Sequence, residues 1–360
     1  MQVMEKNFFN VVGVMSGTSL DGVDLAHVLL KNEDQIWKFE ILEAETIPYT
    51  EEWLFKLKSA VNFSQFELQI LNQEYTIYLS SIIRNFIQKY HLNNLDAICS
   101  HGHTVLHQPQ KGFTLQIGNL PIIAQLLGQT VVCDFRIQDV KKGGQGAPLV
   151  PIGDQILFSD FDYCLNLGGF SNISFQIQGK RVAFDISPVN TVLNFLSEKI
   201  GNKFDDKGKI AASGSINQVL LTELNQLEYY TLPFPKSLGI EYVKSKVLPI
   251  IDRYDNLSIP DILCTFCEHI ALQIKKVLFK KTGKMLITGG GAYNDYLIEK
   301  IKKNNPDIEI TVPNKNIIEF KEALIFAFLG VLKLQHKINV LSSVTGAFED
   351  HSAGFIYEYK

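Results

Sequence analysis

Residues 11–26 read VVGVMSGTSLDGVDLA, in which an apolar stretch is followed by a turn of small residues and a second apolar stretch. Because glycine, serine and threonine carry little side-chain bulk, the backbone N–H groups and hydroxyls of this turn can approach a phosphate. Two carboxylates, Asp21 and Asp24, interrupt the turn, and carboxylates beside a phosphate usually hold Mg²⁺. A tight turn between strands explains the glycines equally well, so this segment alone leaves both interpretations open.

A second segment repeats this arrangement, and a third has a strand that ends in glycines before a helix-like run. Residues 164–175, CLNLGGFSNISF, are strand-like on both sides of a glycine turn, and residues 285–294, MLITGGGAYN, form an apolar strand that ends in three glycines. None of the three segments fits the G-x-G-x-x-G fingerprint or the P-loop spacing, which argues against Rossmann and Walker ATP sites. The three segments together predict a duplicated, two-lobed nucleotide-binding fold.

The composition is that of an enzyme with two sizeable cores. The chain has 360 residues, of which 46% are hydrophobic, and this length favours two domains. A net charge of −4 gives no basic footprint for nucleic acid or for an anionic membrane. No apolar run approaches the roughly 20 residues of a membrane span, and the first ten residues lack the apolar core of a signal peptide. We therefore expect a cytoplasmic protein with no nucleic-acid or membrane partner, and a homodimer only as the usual prior.

The order of the three segments resembles that of the phosphate-1, phosphate-2 and adenosine motifs of the sugar kinase/Hsp70/actin superfamily. Within this superfamily, the motif sequences are most similar to those of the anhydro-N-acetylmuramic acid kinase family. The motifs run in family order across nearly the whole chain. The matching pieces are GVMSGTSLDGVD (13–24), SHGHT (100–104), LQIGN (115–119), VVCDFR (131–136), GGQGAPLVP (143–151), LNLGGFSNIS (165–174), FDISPVN (184–190), PKSLG (235–239), ITGGGAYN (287–294) and KEALIFAFLG (321–330).

The resemblance implies an α/β chain with a two-lobed actin-like ATPase (ribonuclease H-like, duplicated) fold and a central interdomain cleft. The expected first lobe is 1–135, joined by the C-terminal segment 335–360, and the second is 136–334. From the apolar patterns we expect strands at 10–15, 23–30, 36–46, 95–100, 130–135, 162–167, 171–178 and 181–186, and helices at 66–90, 189–200, 240–254, 259–281 and 320–335.

The resemblance also implies a reaction, the ATP-dependent phosphorylation of 1,6-anhydro-N-acetylmuramic acid to N-acetylmuramic acid 6-phosphate in cell-wall recycling. A 1,6-anhydrosugar has no free 6-hydroxyl, because O6 is bonded to C1. Water must therefore attack C1 while O6 takes the γ-phosphoryl group. Two alternatives are a kinase of another 1,6-anhydrosugar such as levoglucosan, and a non-catalytic regulator that binds sugar or nucleotide.

The base for this water is assigned to Asp185, in VAFDISPVN, because the family has its catalytic aspartate in this motif. An acid at the carboxyl end of a strand lies where α/β sites collect. The commoner wording is FDTGPGN, and Ile186, Ser187 and Val189 here replace Thr, Gly and Gly. The added bulk is expected to limit close substrate contacts in this loop. The alternative role for Asp185 is to cap a helix that starts near Pro188.

The remaining site residues follow from the matching motifs. Nucleotide contacts are expected from Gly17, Thr18, Ser19, Asp21, Gly22, Asp24, Gly168, Gly169, Asn172, Gly289, Gly290 and Gly291. Metal-associated carboxylates are expected among Asp21, Asp24 and Glu322, with Mg²⁺ as the ion and ATP as the nucleotide. Glu322 could equally be an acid that favours a helix N-terminus. Sugar contacts are expected from His103, Thr104, Gln116, Arg136, Gln145 and Asn190. Relatives often read SHGQT, so His103 stands where they have glutamine.

Overall fold

Residues 6–359 are described by a computed structural model, and they divide into two units. Unit 1 comprises the chain up to Leu157 together with the segment from Phe320 onward, and unit 2 comprises Phe158–Glu319. The strands are β1 (Phe8–Ser16), β2 (Val23–Glu33), β3 (Ile36–Ile47), β4 (Ala97–Gln108), β5 (Phe113–Ile117), β6 (Val131–Cys133), β7 (Tyr163–Leu167), β8 (Phe170–Ile177), β9 (Lys180–Pro188), β10 (Gly283–Thr288), β11 (Ile308–Thr311) and β12 (Phe355–Tyr357).

Helices follow the strands in both units. They are α1 (Glu51–Ser59), α2 (Gln65–Lys89), α3 (Ile122–Leu127), α4 (Ile137–Lys141), α5 (Pro151–Leu157), α6 (Asn190–Glu198), α7 (Lys209–Ala212), α8 (Gln218–Asn225), α9 (Ile240–Tyr242), α10 (Leu248–Ile251), α11 (Ile259–Val277), α12 (Asp295–Asn304), α13 (Lys315–Leu334) and α14 (Ser342–Thr345). Among the described residues, no helix combines the length and the apolar character needed to cross a membrane.

The two sheets share one topology. The sheet of unit 1 has the order β12-β6-β4-β1-β2-β3, with β5 paired to β4, and the sheet of unit 2 has the order β11-β10-β7-β8-β9. In each, three consecutive antiparallel strands are followed by strands that lie parallel to the first of the three. This repeated arrangement is the ribonuclease H-like one, so the predicted duplicated α/β fold is confirmed in each unit.

Local sequence signals explain why the longest helix begins and packs as it does. The side chain of Ser64 accepts a hydrogen bond from the Glu67 N–H, and the Glu67 carboxylate accepts one from the Ser64 N–H, which forms a capping box. Leu71, Tyr75 and Leu79 recur at helical spacing and are buried in the core of unit 1. The predicted helix at 66–90 is therefore confirmed, at Gln65–Lys89.

The units divide the chain at residues other than the predicted lobe boundaries of 135 and 335. Residues after 135 still pack within unit 1, where Arg136 Nε donates to His101 Nε2 at 2.8 Å. The part of α13 after Phe320, where the backbone leaves helical geometry, belongs to unit 1 as well. The reason is a close approach between α13 and β1, since a Cβ on Gly13 would lie 1.9 Å from the Ala323 carbonyl oxygen. The C-terminal segment joins unit 1 through the pairing of β12 with β6.

One predicted helix is interrupted. The segment predicted as helical over 240–254 consists of α9, a π-helical turn at Val243–Val247, α10 and a 3₁₀ turn at Asp252–Tyr254. Pro249 follows the π-helical turn and has no N–H to donate to the carbonyl four residues earlier. The ordinary helical hydrogen-bond ladder therefore cannot run through this segment.

Candidate functional site

The first glycine turn, between β1 and β2, contains glycines with different requirements. A Cβ on Gly22 would lie 2.4 Å from the Ile47 carbonyl oxygen, so packing against β3 excludes a side chain there. A Cβ on Gly17 would meet nothing closer than the Ser19 hydroxyl, at 3.5 Å, and Gly17 does not have a positive φ. Neither packing nor backbone conformation requires glycine at position 17. This favours a ligand that approaches the backbone.

The carboxylates of this turn differ in their surroundings. Asp21 is exposed, whereas the Thr46 hydroxyl donates to Asp24 Oδ1 at 2.6 Å. The described residues contain no group of three or more histidine, cysteine, aspartate or glutamate side chains placed to hold a metal ion. Mg²⁺ beside nucleotide phosphates generally takes only one or two carboxylates, with phosphate oxygens and waters completing its shell. The exposed Asp21 fits that requirement.

A buried chain of hydrogen bonds connects the end of β1 to β4. Ser16 Oγ lies 2.7 Å from His103 Nδ1 and 2.6 Å from the Tyr49 hydroxyl, which in turn lies 2.6 Å from the Tyr75 hydroxyl. Burial lowers the pKa of His103 to about 4, so its imidazole is neutral near pH 7. A neutral imidazole has one donor and one acceptor nitrogen, and Ser16 occupies Nδ1. His103 therefore keeps Nε2 for another partner.

The other residues predicted to contact sugar in unit 1 lie close to this chain. Thr104 pairs with Gln116 across β4 and β5, and Gln116 Nε2 donates to the Thr104 hydroxyl at 3.2 Å. Arg136 Nη1 donates to the Gly146 carbonyl at 2.6 Å. Burial lowers the pKa of Arg136 to about 10, and the nearby negative charge of Glu322 opposes this change. Arg136 is thus a cation within electrostatic reach of Glu322.

The loop at 143–148 is held by one buried carboxylate that the sequence did not single out. Asp139 is fully buried, and its Oδ2 accepts the Gly146 N–H at 2.6 Å. Its Oδ1 accepts the Thr345 hydroxyl at 2.7 Å. The Thr345 carbonyl also accepts the Gln145 N–H at 2.8 Å, and the Gln145 side chain is exposed. Asp139 and Thr345 therefore hold the backbone that presents Gln145.

In unit 2, the second glycine turn is fixed by the start of α6. The Gly169 carbonyl accepts N–H groups of Val189 and Thr191 at 2.8 and 3.2 Å, and the Gly168 carbonyl accepts that of Asn190 at 3.2 Å. In a trans peptide the N–H points opposite the preceding carbonyl. The Gly169 N–H is therefore directed away from α6, as an anion-binding turn requires.

Polar side chains form a row across four strands of unit 2. Thr288 of β10 pairs with Asn166 of β7, Asn166 pairs with Asn172 of β8, and Asn172 pairs with Asp185 of β9. Residues paired in this way project from the same face of a sheet. Asn172 is exposed, and the buried Thr288 hydroxyl has no hydrogen-bond partner among the described residues. The row ends at the predicted catalytic residue.

Asp185 is held from the outer side of β9, the edge strand. Its Oδ2 accepts the Leu238 N–H at 2.8 Å, and its own N–H donates to the Lys236 carbonyl at 3.1 Å. The Tyr229 hydroxyl donates to the Asp185 carbonyl at 2.6 Å. Burial raises the pKa of Asp185, and the Leu238 N–H opposes the change. The carboxylate bonds Leu238 rather than the start of α6, which has no side-chain cap. The helix-cap alternative is therefore wrong.

The three residues near Asp185 that differ from the commoner FDTGPGN sequence are all buried in the interior of unit 2. Ile186 and Val189 are buried in the core of unit 2. Ser187 is fully buried, and its hydroxyl lies 3.0 Å from that of Ser171. The added bulk of Ile186 and Val189 therefore fills the core of unit 2.

In the third segment, packing requires glycine at two of the three positions and does not require it at the other. A Cβ on Gly289, which has φ of 83°, would lie 2.5 Å from Asn166 Oδ1, and one on Gly291 would lie 2.7 Å from Leu167 Cβ. A Cβ on Gly290 would meet nothing closer than 3.7 Å. Gly290 is therefore the best candidate of the three for a ligand contact.

Comparison with known proteins agrees with this arrangement. A sequence model described as "Anhydro-N-acetylmuramic acid kinase" matches residues 9–359. The chain belongs to the anhydro-N-acetylmuramic acid kinase family. It is 34% identical over 363 residues to the anhydro-N-acetylmuramic acid kinase of Hydrogenovibrio crunogenus, covering 96% of this chain and 97% of the relative. It is 33% identical over 375 residues to that of Haemophilus influenzae, with coverages of 96% and 97%.

Among solved structures, component A of the Acidaminococcus fermentans (R)-2-hydroxyglutaryl-CoA dehydratase aligns with a TM-score of 0.48 and 10% identity, over 92% of this chain and all of that one. Membership of the kinase family makes the chain an enzyme of the phosphotransferase class.

Within this family member, the structure brings the predicted residues into two groups, one in each unit. His103, Thr104, Gln116, Arg136 and Gln145 lie around β4, β5 and the loop at 143–148, and the first glycine turn connects to them through Ser16. Asp185, Asn172, Asn190 and the other two glycine turns form the second group. The sequence indicates Ser16 only as part of the first turn, not as the partner of His103. It gives no signal for the contacts made by Tyr49, Asp139, Asn166 and Tyr229.

Proposed function

We propose that the chain transfers the γ-phosphoryl group of ATP to O6 of 1,6-anhydro-N-acetylmuramic acid while water opens the anhydro ring, giving N-acetylmuramic acid 6-phosphate and ADP. The observation that carries this proposal is Asp185. The Leu238 N–H bonds Oδ2 of its carboxylate, and no described residue bonds Oδ1, which leaves that oxygen available. Its pKa is raised by burial, which makes it a better proton acceptor than an ordinary aspartate. The match to relatives over 96% of the chain supports the substrate.

The bond changes balance with one base. The water oxygen bonds to C1, the C1–O6 bond breaks, and O6 bonds to the γ-phosphorus as the bond to the leaving ADP oxygen breaks. Asp185 takes the proton of the water. Positioning and charge neutralisation supply most of the catalysis in phosphoryl transfer, which assigns the backbone at Gly17, Gly169 and Gly290 to the nucleotide.

Mg²⁺ belongs to this proposal, with Asp21 as its first carboxylate. The ion would neutralise charge on the transferring phosphate. Asp24 is a weaker candidate because its carboxylate already accepts the Thr46 hydroxyl. Glu322 is weaker still because Arg136 already supplies a positive charge nearby.

The sugar is assigned to the predicted residues of unit 1. Arg136 presents a guanidinium suited to a lactyl carboxylate or ring oxygens. His103 Nε2, Thr104, Gln116 and Gln145 supply hydrogen-bonding groups. Asn190, at the start of α6 in unit 2, stays a predicted sugar contact. A cytoplasmic location and a homodimer remain predictions.

The decisive experiment follows ADP and product together. Wild-type protein with ATP and anhydro-N-acetylmuramic acid in ¹⁸O-water should release ADP and give a 6-phosphate with one ¹⁸O at C1. Asp185→Asn should lower turnover by about 10²–10⁴, as expected for a lost general base, with ATP affinity retained. Because the pKa is raised, the acidic limb of kcat/KM should lie above the ordinary aspartate value of about 3.9.

Asp206→Asn is the matched control, since Asp206 is exposed, pairs with Lys209 and should not affect turnover. Near-wild-type turnover of Asp185→Asn would remove Asp185 as the base. Faster turnover with levoglucosan would change the substrate, and sugar binding without ADP release would favour the regulator.

A further inference from the structure

Unit 2 contains a cavity of about 550 Å³ beside the segment that holds Asp185. This volume lies within the range of small-molecule sites. Its walls include Tyr229, Tyr242, Glu228, Lys246, Glu223 and Arg253. None of these residues has a role in the reaction proposed above, except that the Tyr229 hydroxyl supports the backbone of Asp185.

The chemistry of the walls indicates a hydroxylated anion. The rings of Tyr229 and Tyr242 lie 5.5 Å apart at 54° and form an aromatic corner, against which the C–H face of a sugar can pack. Arg253 and Glu223 neutralise one another in an ion pair. Lys246 and Glu228 form no ion pair with any described residue. The cavity thus offers one ammonium for an anion and one carboxylate that can accept hydroxyl hydrogens.

The backbone at this cavity is unusual. The π-helical turn at Val243–Val247 begins directly after Tyr242 and includes Lys246. Such turns are rare and are frequent at functional sites. Val243 and Val247 are buried in the core, which anchors the turn, while Lys246 is exposed. The turn therefore holds the Lys246 backbone in place at the wall of the cavity.

A direct path leads from the cavity to Asp185. The Tyr229 hydroxyl donates to the Asp185 carbonyl at 2.6 Å. Lys236 Nζ donates to the Tyr229 carbonyl at 3.0 Å and lies 4.5 Å from the centre of its ring, and the Lys236 carbonyl accepts the Asp185 N–H. A molecule packed against Tyr229 therefore contacts the residue whose hydroxyl holds the backbone of Asp185.

We propose that this cavity is a second ligand site for a hydroxylated organic anion of monosaccharide size, and that its occupation lowers turnover through Tyr229. If the proposed function holds, the product of the reaction is such a ligand, because N-acetylmuramic acid 6-phosphate combines a sugar ring with anionic groups. Product that binds at this site as it accumulates then lowers turnover at Asp185.

The test is product inhibition of the full chain at saturating ATP and sugar, where competition at the reaction site is suppressed. Added N-acetylmuramic acid 6-phosphate should lower wild-type turnover about fivefold, the low end of ordinary allosteric coupling. Lys246→Ala should abolish this inhibition and leave the uninhibited kcat unchanged. Lys244→Ala, in the same π-helical turn but outside the cavity walls, should behave as wild type. Tyr229→Phe should still bind product, by calorimetry, with its turnover no longer inhibited.

Glucose 6-phosphate and inorganic phosphate form the comparison arms. Inhibition by glucose 6-phosphate that Lys246→Ala relieves would support the site and extend it to other sugar phosphates. Inhibition by inorganic phosphate that Lys246→Ala relieves would also support the site and show that the phosphate group alone is sufficient. Absent inhibition, or inhibition equal in wild type and Lys246→Ala, would overturn the proposal. Failure of wild type to turn over the sugar at all would instead overturn the proposed function, so the two failures are distinguishable.

Discussion

Gly17 and Gly22 lie in the same turn, yet the structure requires only one of them to be glycine. We expect Gly17→Val to leave the fold intact, because a Cβ there meets nothing closer than the Ser19 hydroxyl at 3.5 Å. The added bulk should still block the approach of a phosphate to the backbone. Affinity for a non-hydrolysable ATP analogue, measured by calorimetry, should fall at least about tenfold, which corresponds to about 1.4 kcal/mol.

The matched variant is Gly22→Ala, whose Cβ would lie 2.4 Å from the Ile47 carbonyl oxygen. Overpacking of this kind costs about 1–3 kcal/mol, so this variant should lower the thermal unfolding midpoint. Unchanged analogue affinity in Gly17→Val would show that the first turn does not contact the nucleotide.

At the scale of elements, the loop at 143–148 depends on a carboxylate outside the loop. Asp139→Ala should remove both acceptors, so that the Gly146 N–H and the Thr345 hydroxyl lose this partner. A buried polar group left unpaired costs about 1–3 kcal/mol. Because the loop presents Gln145 and its Gly146 carbonyl holds Arg136, we expect the KM for sugar to rise and the KM for ATP to stay the same.

Thr345 offers the control for this prediction. Thr345→Val should remove the hydroxyl that Asp139 accepts and raise the KM for sugar in the same direction, whereas Thr345→Ser retains the hydroxyl and should resemble wild type. An equal rise in the KM for both substrates would indicate general loosening of unit 1 rather than a sugar-contacting loop.

For the whole molecule, the duplicated fold could be predicted because its signals are local. Apolar strands, the glycine turns at 16–22 and 168–169 and the glycines at 289–291 each appear within a few residues, and their order along the chain repeats. Asp185 could be proposed as the base for the same reason, since it lies near the carboxyl end of β9 in a recognisable motif. Packing explains part of the same pattern, because neighbouring atoms leave no room for a Cβ at Gly22, Gly289 and Gly291.

What the sequence could not show is which distant residues meet. Ser16 and His103 are 87 positions apart, Asp139 and Thr345 are 206 apart, and Asp185 and Tyr229 are 44 apart. No periodicity or turn signal connects such pairs, because each contact is decided by how β4, α4 and β9 pack in the finished units. The burial of Ile186 and Val189 is a result of the same packing.

The last prediction concerns the stability of the whole chain, which Asp185 should lower. Burial raises the pKa of Asp185 in the folded state, so the folded chain binds this proton more tightly than the unfolded chain does. The free energy of unfolding therefore falls as pH rises from about 3.9, the ordinary aspartate value, through the raised pKa, and stays lower above it. The Asn side chain of Asp185→Asn carries no charge and keeps an acceptor for the Leu238 N–H. Its free energy of unfolding therefore does not fall in this pH range.

We expect the thermal unfolding midpoint of Asp185→Asn to exceed that of wild type at pH 7, and the difference to shrink toward pH 4.5. Asp206→Asn should show the opposite sign, because the Lys209 side chain lowers the pKa of Asp206 and its charge stabilises the folded state above that pKa. A lower midpoint for Asp185→Asn at pH 7 would contradict the raised pKa. With that result, the assignment of Asp185 as a base tuned by burial would fail, because the same desolvation must make the carboxylate both a stronger proton acceptor and a less stable charge.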